Sequence, residues 1–113
     1  MRQYSISAES ASPYRASAAR TYEWLVSVRD VREASVAARF GVDILDLKEP
    51  SGGSLAPVSV EIWKEIVSWI SSYPQTDSQV RLSAALGESE QATSIARHLP
   101  AEFTFAKAGP SQI

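Results

Sequence analysis

The chain has 113 residues, 44% of them hydrophobic and 21% charged, which is the composition of a folded globular domain and excludes a disordered chain. Its formal net charge is only −2 and its basic residues are scattered, so the electrostatic footprint of a nucleic-acid-binding protein is missing and we expect no nucleic-acid partner. It contains no cysteine, which excludes disulfides, thiolate metal sites and cysteine nucleophiles.

The N-terminal segment, residues 1–22, is rich in Ser and Ala, contains three arginines and one acid, and shows no sustained apolar period. This pattern predicts a flexible tail. A transit peptide would share the Arg-rich, acid-poor composition, but the amphipathic pattern is poor. The segment also lacks the apolar centre of a secretory signal, and no apolar run of the chain is long enough to span a membrane. We therefore expect a soluble, cytoplasmic protein with no membrane partner.

From residue 23 onward, short apolar runs alternate with longer segments of helical period, which is typical of a parallel sheet with crossover helices. The run EWLVSV, residues 23–28, predicts a first strand. A first helix follows, with Asp30 as its N-cap, Glu33 at the third helical position and Gly41 at its end. Residues 43–48, DILDLK, predict a second strand.

A long loop and four more elements complete the chain. Residues 49–57 are predicted to form the loop, because their two glycines and two prolines oppose regular structure. Apolar residues at helical spacing then predict a second helix that ends at Pro74. The last three elements are predicted to be a strand at residues 80–86, a helix at residues 88–99 and a strand at residues 102–107.

This order predicts a single α/β domain over residues 23–113, with four strands and three helices in a parallel βαβαβαβ arrangement. A closed TIM (β/α)8 barrel takes about 250 residues, so the chain corresponds to about half of one. Three outcomes stay open for such a half: an open sheet, a homo-oligomer that completes the sheet or barrel, or unsatisfied strand edges.

A lysine at a strand end is the first candidate for chemistry. Lys48 closes the apolar second strand, and α/β enzymes place their chemistry beyond the carboxyl ends of their strands. Side-chain alternation along the strand puts Asp46 on the same face as Lys48. The carboxylate can therefore pair with the ammonium, orient it and exchange a proton. The alternative is a purely structural ion pair at a strand end.

Lys107 ends the fourth strand as Lys48 ends the second. In a barrel, alternate strands contribute to the same interior layer, so these two strands can bring the two ammonium groups close together. Mutual repulsion and partial desolvation favour a free amine, which can attack a carbonyl. The pair therefore suggests Schiff-base or enolate chemistry on a small carbonyl compound, and the alternative for Lys107 alone is a solvent-exposed strand end.

Weaker candidates surround these residues. The loop SGGSL precedes the second helix, and because free N–H groups at a helix start attract anions, Gly52, Gly53 and Ser54 are candidate phosphate-binding residues; a plain connector is the alternative. Ser27 and Ser83, near the ends of the first and third strands, are candidate contacts for polar groups of a ligand. With no cysteine, one histidine and no close carboxylate cluster, the sequence predicts no metal site.

Together, these segments resemble a known family. The stretches LVSVRDVREASVAARFGVDILDLKEPSGGSL, LSAALGE and FTFAKAG, in this order within residues 25–109, are similar to the N-terminal half of the (5-formylfuran-3-yl)methyl phosphate synthases of methanofuran biosynthesis, including the bacterial branch associated with one-carbon metabolism. The resemblance implies a TIM-type barrel that condenses two molecules of glyceraldehyde 3-phosphate into a furan aldehyde phosphate without a cofactor. It also implies that Lys48 is the Schiff-base lysine, Asp46 its acidic partner and Lys107 a general acid/base lysine.

The leading hypothesis for function is thus a lyase-type synthase, complete or incomplete in activity. The competing hypothesis is a non-catalytic half-barrel or open α/β module that self-associates or binds a phosphorylated ligand. A third is a different phosphate-binding lyase of the same barrel class.

Overall fold

The structure of the protein, a computed structural model, describes residues 2–3, 22–74 and 79–110. A two-residue strand, β1 (Arg2–Gln3), pairs in parallel with the first strand of the predicted domain. Two residues of the segment predicted as a flexible tail therefore take part in the sheet. The prediction for residues 4–21 lies outside the described residues.

Four further strands alternate with three α-helices along the chain, as the sequence predicts. These elements are β2 (Trp24–Val28), α1 (Val31–Arg39), β3 (Ile44–Leu47), α2 (Val60–Ser72), β4 (Arg81–Glu88), α3 (Ser89–Ala96) and β5 (Phe105–Gly109). All strand pairs are parallel, and the sheet order β1-β2-β3-β4-β5 follows the order of the chain. The predicted α/β class is confirmed, with element boundaries displaced by a few residues.

Helix α1 has the ends that its sequence predicts. The Asp30 carboxylate accepts a hydrogen bond from the Glu33 N–H at 2.9 Å, and the Glu33 carboxylate accepts one from the Arg29 N–H at 2.8 Å. These bonds satisfy N–H groups that a helix start leaves without partners. Just beyond the helix, Gly41 has a φ of 81°, a conformation that glycine adopts without strain. In the described part of the chain, no helix combines the length and the apolar character that crossing a membrane requires.

The two faces of the sheet carry different side chains. Leu45 and Leu47 of β3 join the main hydrophobic core, in which Trp63 and Ile66 of α2 are fully buried. Because side chains alternate along a strand, Asp46 points to the opposite face, where it is also fully buried. The helices thus cover one face, and the buried Asp46 carboxylate lies on the other.

The outer strand β5 differs from its prediction. It begins at Phe105, although the N–H of the preceding residue already donates to the Leu82 carbonyl of β4, and Phe103 before it is buried in the core. The register of β4 against β5 shifts between Ala85 and Glu88, and Gly87, within this irregularity, has a φ of 91°. This bulge carries β4 past the predicted exit at Gly87 and changes the register only after Lys107, so that Gly109 pairs with Glu88.

Candidate active site

Each of the four long strands contributes one polar side chain to a single cluster on the face opposite the helices. Ser27 of β2, Asp46 of β3 and Ser83 of β4 are direct partners in the strand register, so they project side by side. Lys107 of β5 is in register with Ala85, two residues beyond Ser83, and its side chain reaches back to the carboxylate. The sequence therefore folds so that three other predicted site residues, Ser27, Ser83 and Lys107, meet around Asp46.

The Asp46 carboxylate is the centre of this cluster. Its Oδ1 accepts a hydrogen bond from the Ser83 hydroxyl at 2.9 Å. Its Oδ2 accepts one from the Ser27 hydroxyl at 3.3 Å and one from the Lys107 ammonium at 2.9 Å. Asp46 is 0% exposed, and a buried carboxylate is tolerated only when it is paired and hydrogen-bonded in this way. The Lys107 side chain is 40% exposed, so the ammonium lies between the buried anion and the surface.

Lys48 stands apart from this cluster. Its N–H donates to the Val28 carbonyl at 3.1 Å, which continues the β2–β3 ladder beyond Leu47 and keeps the side-chain alternation that places Lys48 on the face of Asp46. Among the described residues, no hydrogen bond or ion pair engages its half-buried side chain.

The predicted pairing of Asp46 with Lys48 is therefore replaced by a pairing of Asp46 with Lys107. Residues two apart on one strand stand about 6.6 Å from each other and project in parallel, whereas a lysine from a nearby strand can reach across to the carboxylate.

The two glycines of the loop after β3 do not lie at the start of helix α2, which is the feature that predicted anion binding. The N–H groups of Gly52 and Gly53 donate to the carbonyls of Glu49 and Pro50, at 3.0 and 3.2 Å, within a short 3-10 turn. Helix α2 begins several residues later, with Ser59 as its N-cap. These two N–H groups are neither free nor part of a helix start, so the helix-start argument for phosphate binding does not hold for them.

Glu49 anchors the first turn of this loop. Its carboxylate accepts hydrogen bonds from the Ser51 hydroxyl at 2.7 Å and from the Ser51 N–H at 3.2 Å, and its own N–H donates to the Ala56 carbonyl at 2.9 Å. The hydroxyl bond, then the N–H bond and the charge of Arg29, hold the pKa of Glu49 below its usual value. The loop is thus closed by its own hydrogen bonds.

The loop also packs against the carboxyl end of β5. A Cβ added at Gly109 would lie 2.8 Å from Leu55 Cδ1 and 3.1 Å from Glu88 Oε1, which leaves no room for a side chain. The β3–α2 loop therefore lies next to the strand end that carries Lys107, two residues before Gly109. The sequence marked this loop only as irregular, and its contact with β5 depends on tertiary packing.

In residues 22–74 and 79–110, no group of three or more His, Asp or Glu side chains is placed to hold a metal ion. What the cluster offers is a buried anion, two hydroxyl donors and an ammonium, with a second lysine on the same face. Such groups can move protons and can attack a carbonyl.

The fold and the site define an α/β protein with a lysine–carboxylate cluster on the helix-free face of a parallel sheet. A model of the 4-HFC-P synthase family matches residues 24–113, and the chain belongs to that family. The matched range contains all four long strands, and 4-HFC-P is a short name for the furan aldehyde phosphate given above, so the family resemblance is confirmed. No curated protein and no solved structure gives a significant match to the chain.

Proposed function

We propose that the protein is a lysine-dependent lyase that forms 4-HFC-P from two molecules of glyceraldehyde 3-phosphate, without a cofactor. The family match supports the product, and the observation that carries the mechanism is the ion pair of Asp46 with Lys107. Because of this contact, the two lysines on the face of Asp46 differ. Lys107 is paired with an anion, and Lys48 has no such partner among the described residues.

The two lysines then have different tasks. An amine attacks a carbonyl through its lone pair, and an ammonium that donates to a carboxylate has no lone pair to offer. Lys107 is therefore assigned as the proton donor, with Asp46 as its anionic partner. Lys48, whose side chain has no partner among the described residues, is assigned as the nucleophile.

The chemistry follows from an imine on Lys48. The amine adds to the aldehyde carbon of one substrate, a proton from Lys107 assists the departure of water, and a carbon–nitrogen double bond forms. This imine draws electrons from the adjacent carbon, which loses its proton to the Lys107 amine left by the previous step and becomes a carbon nucleophile toward the second aldehyde. Over the whole reaction, two triose phosphates yield the furan aldehyde phosphate, one inorganic phosphate and two waters.

The sheet supports a barrel relationship. Its four long strands lie side by side in chain order, all parallel and joined by helices, and successive strands of a (β/α)8 barrel follow the same rule. We therefore propose that residues 24–109 correspond to half of such a barrel, with Lys107 and Asp46 on its interior face.

Borohydride trapping tests the imine. The chain has three lysines, Lys48, Lys64 and Lys107, and Lys64 is exposed on α2, so peptide mapping can distinguish all sites. Incubation with glyceraldehyde 3-phosphate and borohydride should add the reduced substrate at Lys48. The Lys48→Arg variant should lose this adduct, while Lys64→Arg should keep it. An adduct of equal yield at Lys64, or one that survives in Lys48→Arg, would rule out Lys48 as the nucleophile.

A further inference from the structure

We propose that Ser27 and Ser83 are positioning residues, which hold the Asp46 carboxylate and, through it, the Lys107 ammonium, and are not contacts for substrate. This proposal rests on the proposed function for its kinetic consequences only. It replaces the sequence-based expectation that the two serines contact polar groups of a ligand.

The hydroxyl protons of both serines are already committed. A serine hydroxyl has one proton to donate, and Ser83 donates it to Asp46 Oδ1 while Ser27 donates its own to Asp46 Oδ2. Ser83 is also 0% exposed, so it presents no surface on which a substrate could bind. A ligand contact by Ser83 would require the loss of a hydrogen bond to a buried anion, which is among the costlier bonds to break.

The geometry explains why the carboxylate needs these donors. The terminal torsion of an aspartate is broad, so one contact at one oxygen does not fix the plane of the group. Lys107 binds Oδ2 from a flexible four-carbon side chain that is 40% exposed. The Ser83 hydroxyl binds the other oxygen from inside the sheet and so fixes the plane, which in turn fixes where the ammonium is held.

The two serines should differ in importance. The Ser83 bond is shorter, 2.9 Å against 3.3 Å, and it is the contact made to Oδ1, whereas Ser27 shares Oδ2 with the ammonium. The Ser83→Ala variant should therefore show the larger effect. Ser27→Ala, at a half-buried position, provides a second variant with little risk to folding.

Steady-state kinetics separates positioning from substrate binding. Ser83→Ala should lower kcat by about tenfold, the fold-change expected when a charged group loses one hydrogen bond, and should leave KM within about twofold. Ser27→Ala should lower kcat by about threefold. Ser71→Ala is the matched control, because Ser71 lies on α2, away from Asp46, and its hydroxyl donates to the Val67 carbonyl of its own helix. A rise in KM with unchanged kcat would mean that the serines bind substrate and would overturn the proposal.

A second substitution shows whether Ser83 acts through Asp46. In the Asp46→Asn background the carboxylate is gone, so adding Ser83→Ala should change the residual rate by less than about twofold. If the tenfold loss persists in that background, Ser83 acts on something other than Asp46 and the proposal fails.

Nitrogen-15 NMR of the lysine side chains tests positioning without any turnover. With three lysines in the chain, the ammonium signals can be assigned by Lys→Arg substitution. A hydrogen-bonded ammonium of Lys107 should give a protected signal in the wild type, lost in Ser83→Ala and retained in Ser71→Ala. If the wild type is inactive but this loss occurs, the positioning role stands and the proposed function fails. If Ser83→Ala leaves the Lys107 signal unchanged, the positioning role is overturned whatever the activity.

Discussion

At the scale of single residues, the burial of Asp46 makes the fold dependent on the charge of Lys107. The anion is fully buried and the cation is 40% exposed, so the two partners are not equivalent. Without Lys107, the carboxylate would keep only two hydroxyl donors in a site that water does not reach, and an unpaired buried charge is costly. Without Asp46, the ammonium could turn outward into solvent.

We therefore expect Lys107→Met to destabilise the protein by about 2 kcal/mol. This cost is smaller than that of breaking a fully buried ion pair, because the ammonium is partly solvated. The double variant Lys107→Met with Asp46→Asn should recover most of this loss, because no charge then remains buried. Urea unfolding followed by tryptophan fluorescence measures both, with the exposed Lys64→Met as control. A double variant less stable than Lys107→Met alone would contradict this account of the pair.

Glu49 provides a pH-dependent contact of a different kind. Hydrogen bonds from Ser51 lower its pKa in the folded protein below the ordinary value of 4.5. A carboxyl group of this kind stabilises the fold above its unfolded pKa, and the contribution disappears as the pH falls through the folded value. Glu49→Gln and Ser51→Ala should therefore both reduce the loss of stability between neutral pH and a pH below 4.5. Urea midpoints at the two pH values check this, and an unchanged pH dependence in both variants would count against it.

At the scale of elements, Trp63 is the largest side chain that helix α2 buries in the core. Trp63 is 0% exposed, its ring lies 6.0 Å from that of Phe103, and its indole Nε1 is buried without a hydrogen-bond partner among the described residues. An unsatisfied donor costs free energy, so part of the packing benefit of this tryptophan is cancelled.

Trp63→Phe should for this reason cost only about 1–2 kcal/mol, because it removes the unpaired N–H together with some volume. Trp63→Ala should cost about 4 kcal/mol, because it leaves a cavity between helix and sheet. Trp69→Phe on the same helix, at a half-buried position, is the control. Equal losses for Trp63→Phe and Trp63→Ala in urea unfolding would show that the indole N–H is satisfied after all.

The secondary-structure elements also show which features of the fold can be predicted from the sequence alone. Helical spacing, the Asp30 cap and the alternation of Leu45, Asp46 and Leu47 are local properties, and they predicted the element order and the face of Asp46 correctly. Which lysine pairs with Asp46 depends on the register of β5 against β4, in which Lys107 lies opposite Ala85. No local pattern specifies that register, so the pairing could not be predicted.

The glycine loop illustrates the same limit. Its composition predicted an irregular segment, and residues 48–59 lie outside the β-strands and α-helices. The use of the Gly52 and Gly53 N–H groups inside a 3-10 turn depends on how the loop closes, as does the contact of Leu55 with Gly109. Both are consequences of packing across the sheet, which composition does not encode.

At the scale of the whole molecule, the described sheet ends in two different strand edges. On β5, the described outer strand, Ala106 and Ala108 are exposed on alternate positions, with small apolar side chains. At the other end, β1 pairs only with Trp24 and Leu25, and an open groove of about 370 Å³ follows β2 and α1. Val36 in this groove is 43% exposed. Strand edges that no other element covers tend to pair with another chain.

We propose that the occupant of these edges is a second copy of the chain, with β5 of one copy displacing the two-residue strand β1 of the other and pairing with its β2. The four long strands of each copy would then make eight parallel strands, the number that closes a (β/α)8 barrel. In such a dimer the exposed alanines of β5 become buried at the contact. A lysine there would carry its charge into an apolar contact, which is the device by which natural edge strands avoid pairing.

Sedimentation velocity over a range of protein concentrations should therefore show a dimer for the wild type and a monomer for Ala108→Lys. Ala96→Lys, which adds the same charge at an exposed position at the end of α3, should remain dimeric. If the dimer also completes the site, synthase activity per chain should fall when the wild type is diluted below its dissociation constant, and Ala108→Lys should be inactive at every concentration. A wild type that sediments as a monomer throughout, or an Ala108→Lys dimer, would remove the second copy as the partner of β5 and leave the sheet open at that edge.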